Sequence, residues 1–186
     1  DHKRGLKDLL DGSLVEPGLC NKLYHKPLFE DMLRNDLMDC NIKINEDLLM
    51  NFFLFKTAKR AVFEDKCKYH YIVRNDSASR QKLNDYKIFD PIRVKDIIVK
   101  ESEADIIRDA KKSYIKTCIS TYNILVLEEQ FDSKNRIRVL LAEAKEDVAL
   151  LEYKYQIILF MIIYIPLVYE KIYRLYEKYL MKRKYE

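Results

Sequence analysis

The sequence predicts an all-α fold: one compact multi-helix domain over residues 1–186, with helix-turn-helix-like pairs and a long kinked C-terminal helix. Three observations predict it. There are only 3 Gly and 4 Pro in 186 residues, and tight hairpin turns depend on Gly because it accepts positive φ cheaply. Apolar residues recur every three or four positions through most of the chain, which is the spacing of one helix face. No stretch alternates at period two, so no strand is expected.

The elements follow in order. Residues 1–26 read as a loosely structured N-terminal segment, with a short helix over His2–Leu10 ended by Gly12. Leu28, Phe29, Met32, Leu33 and Leu37 predict an amphipathic helix from Pro27 to Cys40. Asn45 serves as N-cap for a helix from Glu46 to Val73. Its apolar stripe changes face near Phe55, which predicts a break there or a passage between two neighbours. Asn75–Ser79 reads as a linker, and Ser77 caps a short helix to Lys87. Asp90–Pro91 marks a new start. Ser102 with Asp105 marks another, opening a helix from Glu103 to Phe131. The last helix spans Lys134 to Arg183, kinked at Pro166. Phe89-Asp90 and Phe131-Asp132 form a faint internal echo, each at an expected helix entry.

Glycine scarcity also bears on function. It excludes a Rossmann fingerprint and a P-loop, and no H-E-x-x-H or G-x-S-x-G motif occurs. The expectation is a non-enzyme with no cofactor and no metal. Cys20, Cys40, Cys67 and Cys118 are too scattered for a zinc framework and read as free, mostly buried thiols of a reducing, cytoplasmic setting. The chain begins at Asp1 without Met, so residues upstream are expected. The Lys-, Ile- and Tyr-rich, Ala-poor composition fits an AT-rich genome such as that of a parasite or a large DNA virus.

Charge directs attention to the middle of the chain. The net charge is +4, and residues 51–74 alone carry 6 Lys+Arg against 2 Asp+Glu. On a continuous helix Lys56, Lys59, Arg60, Lys66, His70 and Arg74 fall within an arc of roughly 140°. Such a row suits the phosphates of RNA or another single-stranded nucleic acid, with Phe63 and Tyr71 placed to stack on bases. The plain alternative is a solvated face. Arg108 and Lys112 belong to a second cationic row, which internal helix-surface pairs explain nearly as well.

The C-terminal helix carries no charge from Gln156 to Tyr169. Those 14 residues span about 21 Å, short of the ~30 Å hydrocarbon core, so no transmembrane segment is expected. A helix apolar on every side is buried on every side. That makes it the central core helix, the seam of a homodimer or both together, with some residues facing the protomer's own core and the rest a partner chain; Ile158, Ile162, Ile165 and Tyr169 are the residues expected at the seam. The alternatives are a protein-interaction or structural module using the Tyr-rich helix, or a peripheral membrane contact through its basic tail.

In size, Lys/Tyr-rich composition, near absence of Gly and the Phe-Asp echo, the chain resembles the small gametocyte RNA-binding antigens of malaria parasites. The resemblance implies an all-helical fold of paired helix-turn-helix units, a homodimer and RNA binding. The P-x-x-P motifs of that family are missing, because the prolines are Pro17, Pro27, Pro91 and Pro166. No site residue transfers from it.

Overall fold

A computed structural model describes residues 2–12, 14–66, 68–70, 72 and 82–181. The fold is all-α and 69% helical, with no strand among the described residues. Eight α-helices follow one another: α1 (His2–Asp11), α2 (Lys26–Arg34), α3 (Glu46–Thr57), α4 (Asp85–Glu101), α5 (Ile107–Leu127), α6 (Phe131–Glu143), α7 (Tyr153–Tyr164) and α8 (Pro166–Tyr176). A 3-10 stretch, Ala144–Leu150, joins α6 to α7, and a π turn, Glu177–Met181, follows α8. Where the sequence reading treats 1–186 as one domain, the chain divides inside α5 into two compact units, Asp1–Ala110 and Lys111–Glu186.

In the first unit α3 is the central element. Leu48, Leu49, Phe52, Phe53 and Leu54 are all buried, so it is enclosed on most of its circumference. Leu6, Leu9 and Leu10 of α1 join the same core, with Val94 and Ile98 of α4. The expected His2–Leu10 helix is therefore real and packed rather than loose. Gly12 ends it with φ 66, donating its N–H to the Asp8 carbonyl at 2.9 Å. Gly5 permits the close approach of α1, since a Cβ there would lie 2.7 Å from the Phe55 ring. Asn51 is fully buried on α3 and its polar atoms are all used. It donates to the Asp47 and Pro17 carbonyls and accepts from the Tyr24 hydroxyl, tying the 17–24 loop to the core.

Several expected boundaries move. The helix read over Glu46–Val73 stops at Thr57, and Ala58 turns extended at φ −67, ψ 129. Asn45 stands at the start of α3 but caps it without its side chain, adopting φ 66 instead. α4 begins at Asp85, capped by Asn84, whose side chain accepts from the Lys87 N–H at 3.0 Å. The expected start at Asp90–Pro91 lies inside α4. The Asp90 carboxylate is buried and serves other backbone, accepting from the Lys43 and Ile44 N–H groups at 2.8 and 3.2 Å. Interior Pro costs about 3 kcal/mol, which burial of Ile88, Ile92, Val94 and Ile98 along α4 offsets. Ser102 closes α4 rather than opening α5, donating its hydroxyl to the Ile98 carbonyl at 2.6 Å.

The second unit packs the rest of α5 with α6, α7 and α8 around Ile115, Ile119, Tyr122, Leu125, Ile137, Leu141, Leu159 and Ile162, all buried. With so few glycines, Glu129 takes the left-handed position after α5, at φ 55, and Gln130 donates to the Leu125 carbonyl at 3.2 Å. The long C-terminal run is kinked as expected: Ile165, at ψ 52, separates α7 from α8, and Pro166 opens α8. It is also interrupted earlier, by the 3-10 stretch and the extended Leu151.

Candidate interaction surface

The basic row of the middle segment does not share a helix face, because α3 ends before most of it. Lys56, in the last turn, donates to the Glu101 carbonyl at 2.6 Å and carboxylate at 3.2 Å. Lys59, Arg60 and His70 are exposed on chain without regular structure. Lys66 pairs with Glu64 at 2.9 Å, and Lys68 pairs with the same carboxylate. Arg74 and Tyr71 lie outside the described residues, as does the short helix expected from Ser77 over its first half.

The second cationic row is largely neutralised. Arg108 is exposed on α5. Lys111 pairs with Asp147 at 2.9 Å, and Lys112 and Lys116 converge on Glu152 at 2.9 and 3.0 Å. The Lys112 ammonium first, then the Glu152 backbone N–H and the Lys116 ammonium, hold the Glu152 carboxyl down at about 2. Acids just before α7 thus consume the cations of α5.

Cys20 and Cys40 are exposed, contrary to the expected burial, while Cys118 is buried; Cys67 lies outside the described residues. Among the described residues no three His, Cys, Asp or Glu side chains converge on a metal-sized site. No described helix is long and apolar enough to cross a membrane.

The feature that stands out is apolar and exposed. On α7, Tyr153, Ile157, Phe160 and Tyr164 are 76%, 44%, 57% and 60% exposed. Their spacing of four, three and four places them on one side of the helix. On α8 the exposed side chains Val168, Ile172 and Leu175 form a second stripe with spacing four and three, and Tyr179 is exposed in the π turn that follows. Soluble monomers scatter exposed apolar residues singly and rarely line them up.

The expected seam residues lie mostly on the opposite side. Ile158 is half-buried and Ile162 fully buried, both turned with Leu159 into the core of the unit. Tyr169 is buried and donates its hydroxyl to the Asn123 side chain at 2.7 Å. Ile165 is exposed, at the break between the helices. An uncharged run that is apolar all round hides which face turns inward; the stripe is legible only once the core is known.

α8 is held with its stripe outward by a buried polar cluster. Glu170 accepts from the Tyr122 hydroxyl at 2.8 Å and from the Lys134 ammonium at 2.8 Å. All three side chains are buried. At the rim, Arg174 reaches Glu129 at 2.9 Å.

No family model, curated protein or solved structure matches the chain.

Proposed function

We propose that this chain is a non-catalytic helical interaction module that pairs with a second copy of itself through the outer face of α7, extended by α8. The observation that carries the reading is the Tyr153, Ile157, Phe160, Tyr164 stripe, open to solvent on a helix whose other side is core. The stripe's four side chains, three of them aromatic and 44–76% exposed, offer on the order of 500 Å² per copy, and the exposed apolar side chains of α8 add to it toward the roughly 800 Å² that a standard interface buries on each partner.

Charge argues for a second copy in antiparallel pairing. About a two-fold axis, Ile157 meets Phe160 of the second copy and Tyr153 meets its Tyr164. Lys154 then borders Met161, so no like charges face each other along α7. The cations Lys171, Arg174 and Lys178 are sent to opposite ends instead of lying against their own copies. A membrane surface is a poorer occupant of the α7 face itself, because Lys154 is the only charge α7 contributes and interfacial helices carry a strongly cationic polar face.

Light scattering on the eluting full chain tests this. Wild type is expected at the mass of two copies. Ile157→Lys with Phe160→Lys is expected at the mass of one, with unchanged helical circular dichroism, since both side chains are on the outer face. A single-copy mass for wild type throughout the micromolar range overturns the reading. Flotation of monomeric wild type with phosphatidylserine vesicles, lost in the same variant, gives the face to a membrane.

Nucleic-acid binding is the second reading. Phe63 and Tyr69 are exposed on the same irregular stretch as Lys59, Arg60 and His70. Aromatic and cationic side chains interleaved on extended chain can stack on bases and contact phosphates of a single strand. Under this reading a labelled single-stranded RNA binds at low salt, and affinity falls steeply as salt rises, because phosphate contacts release counterions. Lys59→Glu with Arg60→Glu is expected to weaken it at least tenfold, roughly 1.4 kcal/mol; unchanged binding removes these residues from any such role.

A further inference from the structure

Adjacent basic residues occur at Lys3-Arg4, Lys59-Arg60, Lys111-Lys112 and in the run Lys182-Arg183-Lys184. The last lies outside the described residues. Two of the others are locked in helices and in ion pairs. Lys3 pairs with Asp105 at 2.6 Å and Arg4 approaches Asp8 at 3.9 Å, both within α1. Lys111 and Lys112 pair with Asp147 and Glu152 from α5. Lys59-Arg60 differs in backbone and in partners, although Lys3 and Arg4 are exposed too. Both side chains are exposed, and neither has an ion-pair partner among the described residues. The backbone leaves the helix at Ala58, which makes the last bond of α3, its N–H donating to the Leu54 carbonyl at 3.0 Å. Residues 59–66 have no regular structure.

We infer that the Arg60–Ala61 peptide bond is a site of limited proteolysis for an endopeptidase with acidic pockets for two successive basic side chains, and that the cleaved chain stays assembled. Proteases take substrate as exposed, non-helical chain, and such stretches are where nicking concentrates. A helical site must first open locally, which reduces its rate by the opening equilibrium. Hydrolysis breaks the Arg60 C–Ala61 N bond; water supplies the hydroxyl to the Arg60 carbonyl carbon and protons to the new Ala61 amine. Lys56 is bound to Glu101 in the last turn of α3, whereas Lys66 and Lys68 are exposed beside Glu64, so selectivity for two successive basic residues is what singles out Arg60.

The assembly claim follows from who contributes to the core. Residues before the cut supply Leu6, Leu9, Leu48, Leu49, Phe52, Phe53 and Leu54. Residues after it supply Val94, Ile98, Ile106 and Ala110 to the same cluster. Cutting one exposed connection leaves that burial intact, so the fragments separate only if the core itself is lost.

The test uses the full chain under native conditions with two probes, trace trypsin and a subtilisin-type protease selective for paired basic residues, read by intact mass. With the paired-basic protease the first products are expected to be 1–60 and 61–186, and with trypsin the first cuts are expected within residues 59–68; the products are expected to co-elute in size exclusion until denaturant is added. With the paired-basic protease, Lys59→Gln with Arg60→Gln is expected to slow the first cut at least tenfold, about 1.4 kcal/mol, with circular dichroism unchanged. A first cut at Lys3-Arg4 or Lys111-Lys112, or an undiminished rate in the variant, overturns the site. Fragments that part without denaturant overturn the assembly claim.

Discussion

Replacing Lys134 by Ala is expected to destabilise the Lys111–Glu186 unit by about 3–5 kcal/mol, measured as urea unfolding followed by circular dichroism. The reason is what the substitution leaves behind. Glu170 is buried and has two partners, the Lys134 ammonium and the Tyr122 hydroxyl, each at 2.8 Å. Without the ammonium, a carboxylate is stranded in low dielectric with one neutral donor. Glu170→Ala is expected to cost a similar amount by stranding the ammonium, whose remaining neighbour is the face of Phe131, 4.7 Å from its ring centre. Replacing both residues by apolar ones of similar size, Lys134→Met with Glu170→Leu, is expected to recover most of the loss, because a buried ion pair contributes little net stability once desolvation is counted. Equal losses in the double and single variants would show that the pair itself, not the stranded charge, supports the unit. The cluster also matters to the surface: Glu170 sets how α8 is rotated, and with it which of its side chains form the exposed stripe.

How much of this was readable beforehand depends on where each residue's partner lies in the chain. The Gly12 stop, the Pro166 kink and the all-helical class depend on local backbone rules, and the sequence carries them in full. The end of α3 at Thr57 is different. No Gly or Pro lies between Glu46 and Val73, and apolar residues continue at helical spacing through Ala58, Ala61, Val62, Tyr69 and Ile72. Yet Val62 and Ile72 are 77% and 76% exposed, so that face is not buried in a way that would stabilise a continued helix. The stretch is also rich in β-branched and aromatic residues of modest helix propensity. A cationic face drawn on that continuous helix was therefore a consequence of a wrong boundary. Asp90 shows the same limit: its side chain looks like a local cap, but its partners are 46 and 47 residues away. In α7 the inward choice of Leu159 and Ile162 over Ile157 and Phe160 belongs to the packing of the whole unit. Composition alone treats them alike.

Lys95 is expected to give the stability of the protein a pH dependence that its replacement by Met abolishes. It is a buried lysine on α4, and burial pulls its ammonium down to about 8, with the Asp11 carboxylate acting in the other direction. In the unfolded chain the same group titrates near ~10.4. Between those values the unfolded chain binds the proton and the folded chain does not, so stability rises with pH from about 8 upward. Below about 8 both states are protonated and folding carries the full cost of burying the charge. Lys95→Met keeps the aliphatic stem and removes that cost. Tyr24, Tyr122 and Tyr173 sharpen the comparison, because burial pushes all three hydroxyls above their usual value. They lower stability once the unfolded tyrosines ionise near ~10. Wild type should thus gain stability from pH 8 to about 9.5 and lose it above, while the Met variant shows only the loss. A flat wild-type profile over that interval would mean that burial does not depress the ammonium, and that the desolvation argument for this helix is wrong.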